Sequence, residues 1–284
     1  MMPEPETSIT IREITNVGEM HAVEDLQKEV WGIPDLEVVP YSHLIASVKS
    51  GGVLLGAFEN ENLVGFAYGF VSYEHGKAAH HSHMLAVKPE YRNYNVGAKL
   101  KLVQREVVLK QGIKMMSWTF DPLQSLNAYF NFNKLGVISN QYFVNFYGDD
   151  AASFLHQNST DRLWVTWNLA SRRTVERLNK TASTMDFEKI KKIIKCNEKS
   201  VVQVFDFDKD LPKIAIEIPS NINELQTQNL ELAVQWREVT RRVFIEAIEA
   251  GYIVKDFYRG KRAEQNCGIY VLSREKGFFE YEKE

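Results

Sequence analysis

The sequence predicts an α+β protein with a strand, two helices and a meander near its start and a smaller β-β-α-β-β unit at its end. Three observations carry this. Short runs of alternating or continuous apolar residues bounded by turn residues have the pattern of strands. Between them, apolar residues recur every three or four positions, the pattern of a helix with one buried face. After about residue 200 the order changes, with two strand-like runs, one long helix and two more strands.

Ser8 to Ile14 (SITIREI) alternates and predicts the first strand. Met20, Val23, Leu26 and Val30 predict a helix over Val17 to Val30, stopped by Trp31-Gly32-Ile33-Pro34. Tyr41 to Lys49 forms a second helix, ended by Gly51-Gly52. Val53–Glu59, Leu63–Tyr73 and Ala78–Val87 are three strands joined by tight turns, an antiparallel meander. A polar loop, Glu90 to Asn95, leads into an amphipathic helix from Gly97 to Lys110, with Gly112 closing it. Ile113 to Phe120 is a strand, and Asp121 turns into a helix that ends at Gly136. Val137–Tyr147 and Leu163–Leu169 are two further strands. Ser171 to about Ser200, rich in lysine, predicts a helix plus linker. The last unit has strands at Val201–Phe207 and Ile214–Ile218, one helix over Glu224–Ala250, and strands at Tyr252–Tyr258 and Gly268–Leu272.

The chain has 284 residues, 34 Lys+Arg against 37 Asp+Glu, a net charge of −3 and 44% hydrophobic residues. That length holds one large domain or two, and the apolar share is that of an ordinary globule rather than a disordered chain. The near-balanced charge argues against a nucleic-acid partner or an anionic membrane surface. No apolar run approaches the roughly 20 residues of a membrane helix. The start, Met1 to Glu6, is acidic and apolar-poor, unlike a secretory signal. Cys196 and Cys267 are too few for a disulfide framework, so a cytoplasmic protein is expected.

Chemistry is expected where a strand ends, a polar loop follows and a helix opens on small residues, Met84 to Gly112. The first turn of a helix has backbone N–H groups without intrahelical partners and a positive dipole end, so a phosphate can dock there. Arg92 and Lys99 add charge. A plain strand–loop–helix joint is the alternative.

The order V-x-P-x-Y-R-x-x-x-x-G-A, Val87 to Ala98, closely resembles the acetyl-CoA-binding segment of the GNAT N-acetyltransferase superfamily. The family's Gln/Arg-x-x-Gly-x-Gly/Ala loop corresponds to Arg92 through Gly97. Asn95 replaces the first glycine; asparagine tolerates left-handed dihedrals best among non-glycine residues. A second segment, Asp121 to Gly136, resembles the family's strand–helix on the other side of the cleft, with Ala128, Lys134, Leu135 and Gly136 in place. Phe132 stands where a tyrosine acid is frequent and cannot donate a proton. Ser125 stands where asparagine is usual, with Asn127 nearby.

The resemblance covers roughly residues 8–170. It implies a mixed, mostly antiparallel sheet flanked by helices, with acetyl-CoA or another acyl-CoA as co-substrate. The implied division is 1–175 for the acyl-CoA-binding domain, 176–200 for a helical linker and 201–284 for the C-terminal unit. It implies pyrophosphate on the amides from Asn93 through Asn95, Val96 and Gly97 to Ala98, helped by Arg92, and pantetheine beside Leu85 and Val87. Asn127 and Phe132 would line the opposite side.

Four of the seven histidines, His75, His80, His81 and His83, lie where a base for the acceptor amine is expected. His81 and His83 share one strand face, and histidine titrates near neutral pH. Both are candidate bases; structural lining and a zinc site are the alternatives, although no third ligand has the right spacing, so no metal is expected. Tyr129 and Tyr142 are candidate acids in place of Phe132, with aromatic packing as the alternative. Glu74 is placed to orient an amine or to lie in solvent. Trp31, Tyr41 and His43 fall where related enzymes build the acceptor pocket, with core packing the default for Trp31. Arg237, Arg241 and Arg242 read as a solvated helix face or as an anion-binding patch, and Glu217 is left undecided between solvent and the cleft.

The expected function is acyl transfer to a small-molecule or peptide amine, with a homodimer as one assembly. The alternatives are a catalytically inactive acyl-CoA-binding module and, more remotely, a metal-dependent hydrolase built on the histidine strand.

Overall fold

The computed structural model describes residues 8–148, 158–183, 186–196, 201–205, 208–262 and 265–274. The acidic Met1 to Glu6 start and part of the 176–200 linker lie outside these residues. The chain forms two compact units, and the division falls between Trp118 and Thr119.

The first unit opens with β1 (Ile9–Glu13), α1 (Val17–Trp31) and α2 (Tyr41–Lys49). Asn16 caps α1 by accepting from Glu19 N–H, and Gly32, at φ 64°, ends it with its N–H on Lys28 C=O. Then follow β2 (Val53–Glu59), β3 (Asn62–Glu74), β4 (Lys77–Val87), α3 (Val96–Lys110) and β5 (Met115–Phe120), the strand along which the chain leaves the unit. The strands lie in the order β1-β2-β3-β4-β5, antiparallel except for β4 and β5, which run parallel. On one face Met20, Val23, Leu26 and Val30 of α1 and Leu44 of α2 pack on Leu54, Phe58, Phe66, Tyr68 and Ala86. These apolar side chains are all nearly or fully buried, which is the main stabilisation of the unit. The other face carries Leu85 and Val87 and receives α3.

The second unit contains α4 (Ser125–Ala128), which continues as a wide π-type turn, Tyr129–Leu135, ended by Gly136 at φ 79°. After it come β6 (Ile138–Phe143), β7 (Arg162–Asn168), α5 (Arg172–Leu178), β8 (Lys192–Cys196), β9 (Val202–Val204), β10 (Lys213–Pro219), α6 (Ile222–Gln228), α7 (Leu230–Glu249), β11 (Ile253–Arg262) and β12 (Gln265–Ser273). The strand order is β7-β6-β11-β12-β10-β8-β9, with β8 and β10 parallel and the other pairs antiparallel. Its core includes Trp167, Trp236, Phe244, Phe257 and Tyr270, all fully buried.

Three expectations change. The segment read as a helix plus linker after Ser171 contains a strand, β8, whose Ile193 and Ile194 are buried. Its lysines flank two apolar residues on an inner strand, a pattern too short to be told from a helix turn. The helix expected over Glu224–Ala250 is two helices. Asn229 leaves helical geometry at φ −155°, and its side chain accepts from Leu232 N–H to cap the second. The C-terminal strands do not stand apart as a unit beginning at residue 201. Val254 of β11 pairs with Ser139 of β6, and β6 pairs with β7, so both strands join one sheet with the C-terminal strands.

Candidate active site

The first unit assembles a loop and a strand face. Pro89–Tyr94 forms a 3-10 turn, and Asn95, at φ 58° and ψ 23°, is left-handed as the loop requires. Its side chain makes no capping bond, and the first bond into it is Lys99 N–H to Asn95 C=O. The N–H groups of Val96, Gly97 and Ala98 therefore precede the helical ladder. A Cβ on Gly97 would lie 3.3 Å from Leu85 Cδ2, in ordinary to tight contact, and a longer side chain would fill the space over β4. Arg92 and Asn93 are exposed on the loop, and Arg92 Nε donates to Val87 C=O at 3.4 Å. Beside them Tyr91 donates to Glu59 at 2.5 Å, a bond that pushes its hydroxyl up to about 12. The loop thus offers amides, a guanidinium and a strand edge, which fits a pyrophosphate with a chain running along Leu85 and Val87.

On β4 the register with β3 shifts between Tyr68↔Met84 and Phe70↔His81, so two residues of β4 oppose Gly69. A Cβ on Gly69 would sit 2.3 Å from His80 Nε2, so only glycine fits there. The bulge resets the alternation. His81 and His83 sit beside Phe70, at 5.4 and 5.8 Å between ring centroids, while Leu85 faces α3. Tyr68 stands edge-on to both His83 and His43 at 6.2 Å. His81 and His83 are themselves 6.2 Å apart, so the structure brings these two candidates together.

His80 points to the opposite side and is fully buried. There Lys101 Nζ donates to Ser82 Oγ at 2.6 Å, Ser82 donates to Gln104 at 2.8 Å, and Gln104 Nε2 meets His80 Nε2 at 3.3 Å. Lys101 Nζ also lies 3.8 Å over the Trp118 ring. Burial pushes His80 down to about 3 and Lys101 down to about 7. On the other side burial, then His83, then Lys101 bring His81 down to about 4. Loss of water around its ring, then His43, lowers His83 as well, although part of His83 is exposed. At neutral pH these histidines are uncharged acceptors. Glu74 is not a solvent-facing turn residue: its Oε1 accepts from Ser72 and from Ser117, and Ser117 Oγ meets His81 Nδ1 at 3.0 Å. Sequence reasoning missed Ser117, whose one signal is its place on β5 opposite β4.

The remaining candidates take different places. Trp31 packs edge-on to Phe66, and Tyr41 lies 4.3 Å from His21. Tyr129, Asn127 and Phe132 belong to the second unit. Tyr129 has Arg259 at 4.7 Å and Lys134 at 5.2 Å over its ring, and Asn127 is exposed. Phe132 is fully buried, edge-on to both Phe120 and Tyr270, so its ring is a core residue. Tyr142 is committed to Asp161 at 2.7 Å and stacks on Phe244; burial raises its hydroxyl well above the usual range. Of the α7 arginines Arg242 is exposed, as a solvated face requires, but Arg237 and Arg241 are not part of one. Arg237 binds both oxygens of Asp121, at 2.7 and 2.8 Å, and Arg241 holds Asp161. Glu217 is buried, 3.5 Å from Lys192.

Among the described residues no three His, Cys, Asp or Glu side chains are grouped to hold a metal ion, and no helix is long and apolar enough to cross a membrane.

Residues 20–136 match the family model described as "Acetyltransferase (GNAT) family". Solved structures similar to the chain include the ribosomal-protein-S18-alanine N-acetyltransferase from Escherichia coli, at 13% identity and TM-score 0.47, covering 58% of this chain and 96% of that one. A second is the paia N-acetyltransferase from Thermoplasma acidophilum in complex with coenzyme A, at 19% and 0.40, covering 57% and 99%. A third is a GNAT family acetyltransferase from Elizabethkingia anophelis with acetyl-CoA bound, at 17% and 0.43, covering 56% and 97%. No curated protein matches the chain.

Proposed function

From the match of residues 20–136 to the GNAT acetyltransferase family model, we propose that the chain transfers an acyl group, acetyl by preference, from acyl-CoA to the amine of a small molecule or peptide. The observation that carries this is the joint between β4 and α3. Backbone N–H groups at Val96, Gly97 and Ala98 open a helix beside a glycine next to Leu85, two to four residues after an exposed arginine-bearing turn. Pyrophosphate is held on the amides from Asn93 to Ala98 with Arg92, and pantetheine runs along Leu85 and Val87.

The acceptor nitrogen attacks the thioester carbonyl carbon, the C–S bond breaks, and the thiolate leaves with a proton. A neutral β4 histidine, His81 or His83, takes the proton the nitrogen loses. The thiolate takes its proton from a general acid other than Phe132, which has none to give. On this reading the partner is the amine alone, with no nucleic acid or membrane, in the cytoplasm, and a homodimer is the assembly to look for.

Calorimetry with acetyl-CoA tests the reading. Micromolar to submillimolar binding is expected, and silence at millimolar ligand overturns it. Gly97→Glu should abolish the heat, because its carboxylate would stand against the pyrophosphate, whereas unchanged affinity would remove the loop from the site.

A second reading, acyl-CoA binding without transfer, is favoured by the buried, hydroxyl-free Phe132. It predicts bound acetyl-CoA and background thiol release over a broad amine panel.

A further inference from the structure

His81 Nδ1 lies 3.0 Å from Ser117 Oγ, and Ser117 Oγ lies 2.5 Å from Glu74 Oε1. A hydroxyl has one proton, and a carboxylate can only accept. The Ser117 proton therefore goes to Glu74, and toward His81 the serine oxygen can act only as an acceptor. The bond is made only if His81 carries its proton on Nδ1. In a neutral imidazole the lone pair is then on Nε2.

Three further features hold the arrangement. Register places His81 opposite Ser117 across the parallel β4–β5 pair. Ser117 is fully buried, so its hydroxyl has no water to turn to. Ser72 Oγ donates to the same Glu74 oxygen at 2.9 Å, which fixes the carboxylate.

We infer that Ser117 and Glu74 are positioning residues that lock His81 in the Nδ1–H tautomer, making His81 Nε2 the atom that receives the acceptor's proton. This rests on the acyl-transfer reading for its use, but the tautomer itself does not.

The test is a long-range proton–nitrogen NMR spectrum of the full chain with labelled histidine at pH 7, with the His81 signals assigned by their loss in His81→Gln. Nδ1 should report as protonated and Nε2 as bare. In Ser117→Ala the acceptor is gone, and the ring should move to the Nε2–H form that free imidazole favours. In Glu74→Leu the serine proton has no carboxylate to go to and turns onto Nδ1, which drives the same change. Wild-type His81 in the Nε2–H form, or an Nδ1–H form that survives both substitutions, overturns the inference. If either variant does not fold, the wild-type spectrum decides alone. Acetyl-CoA titrated into the same samples separates the two ideas. Binding with the wrong tautomer removes the relay and leaves the function, whereas an Nδ1–H tautomer without binding removes the function and leaves the geometry.

Discussion

Lys101 and His80 show how much a single buried side chain can demand of a fold. Burial lowers Lys101 to about 7 against an ordinary 10.5, so between those values the unfolded chain holds a proton that the folded chain has released. Stability should therefore rise as pH goes from 7 toward 10, and thermal unfolding at a series of pH values measures it. Lys101→Met should flatten that slope, since it removes the group whose proton the folded chain releases. The sign is similar for His80, on the other side of neutrality. Its folded value of about 3 lies below the ordinary 6.5, so the unfolded chain binds the extra proton between them. The contribution of His80 is complete above pH 6.5 and falls as the pH drops toward 3, joined by those of His81 and His83. His80→Gln should reduce the acid slope in the same unfolding series; an unchanged slope would mean His80 is charged in the fold. None of these values was legible in the sequence, where Lys101 is one polar residue on an amphipathic helix.

At the level of elements, β4 is where pattern and structure part. The strand itself and the shared face of His81 and His83 follow from alternation. Alternation would also have put Leu85 and Val87 on that face, and the bulge opposite Gly69 moves them to the other. The histidines thereby face Phe70 and Tyr68, and the strand's end faces the α3 loop. A bulge depends on its partner strand and leaves no periodic trace. Arg237 and Arg241 of α7 carry the same lesson. They sit at helical spacing that reads as a charged outer face, yet Arg237 is 3% exposed and binds Asp121 through two nitrogens while its Nε meets Asn158 C=O. Arg237→Met should leave Asp121 without its buried partner and cost about 3–5 kcal/mol, read from chemical denaturation. The double variant Arg237→Met/Asp121→Leu should recover most of the loss, because it leaves no charge behind.

At the scale of the whole chain, the two-unit organisation was readable but its boundary was not. The surplus of residues beyond one acetyltransferase-like domain implied a second unit. The sequence placed its start near residue 201, whereas Thr119 to Asn168 already belongs with the C-terminal strands in the described residues. β6 pairs with β11, Tyr270 donates to the Pro122 C=O at 2.7 Å, and Arg173 reaches Asp256. A fragment ending at Ser200 should therefore lose hydrogen-exchange protection over residues 138–143 and 162–168. If those amides stay protected, the segment is independent of the C-terminal strands.

Local chemistry determined the kinds of elements, their order, the loop at Val87 to Ala98 and the histidine strand. Each depends on residues near one another in the chain: alternation, helical spacing, a left-handed asparagine, small residues at a helix start. The tertiary structure alone decided which histidine meets Ser117 and Glu74, which arginines are buried on carboxylates, and where one unit gives way to the next. Those outcomes depend on hydrogen bonds and strand pairings between residues tens of positions apart, and burial, which sets the protonation of Lys101 and the histidines, exists only once the chain has closed around them.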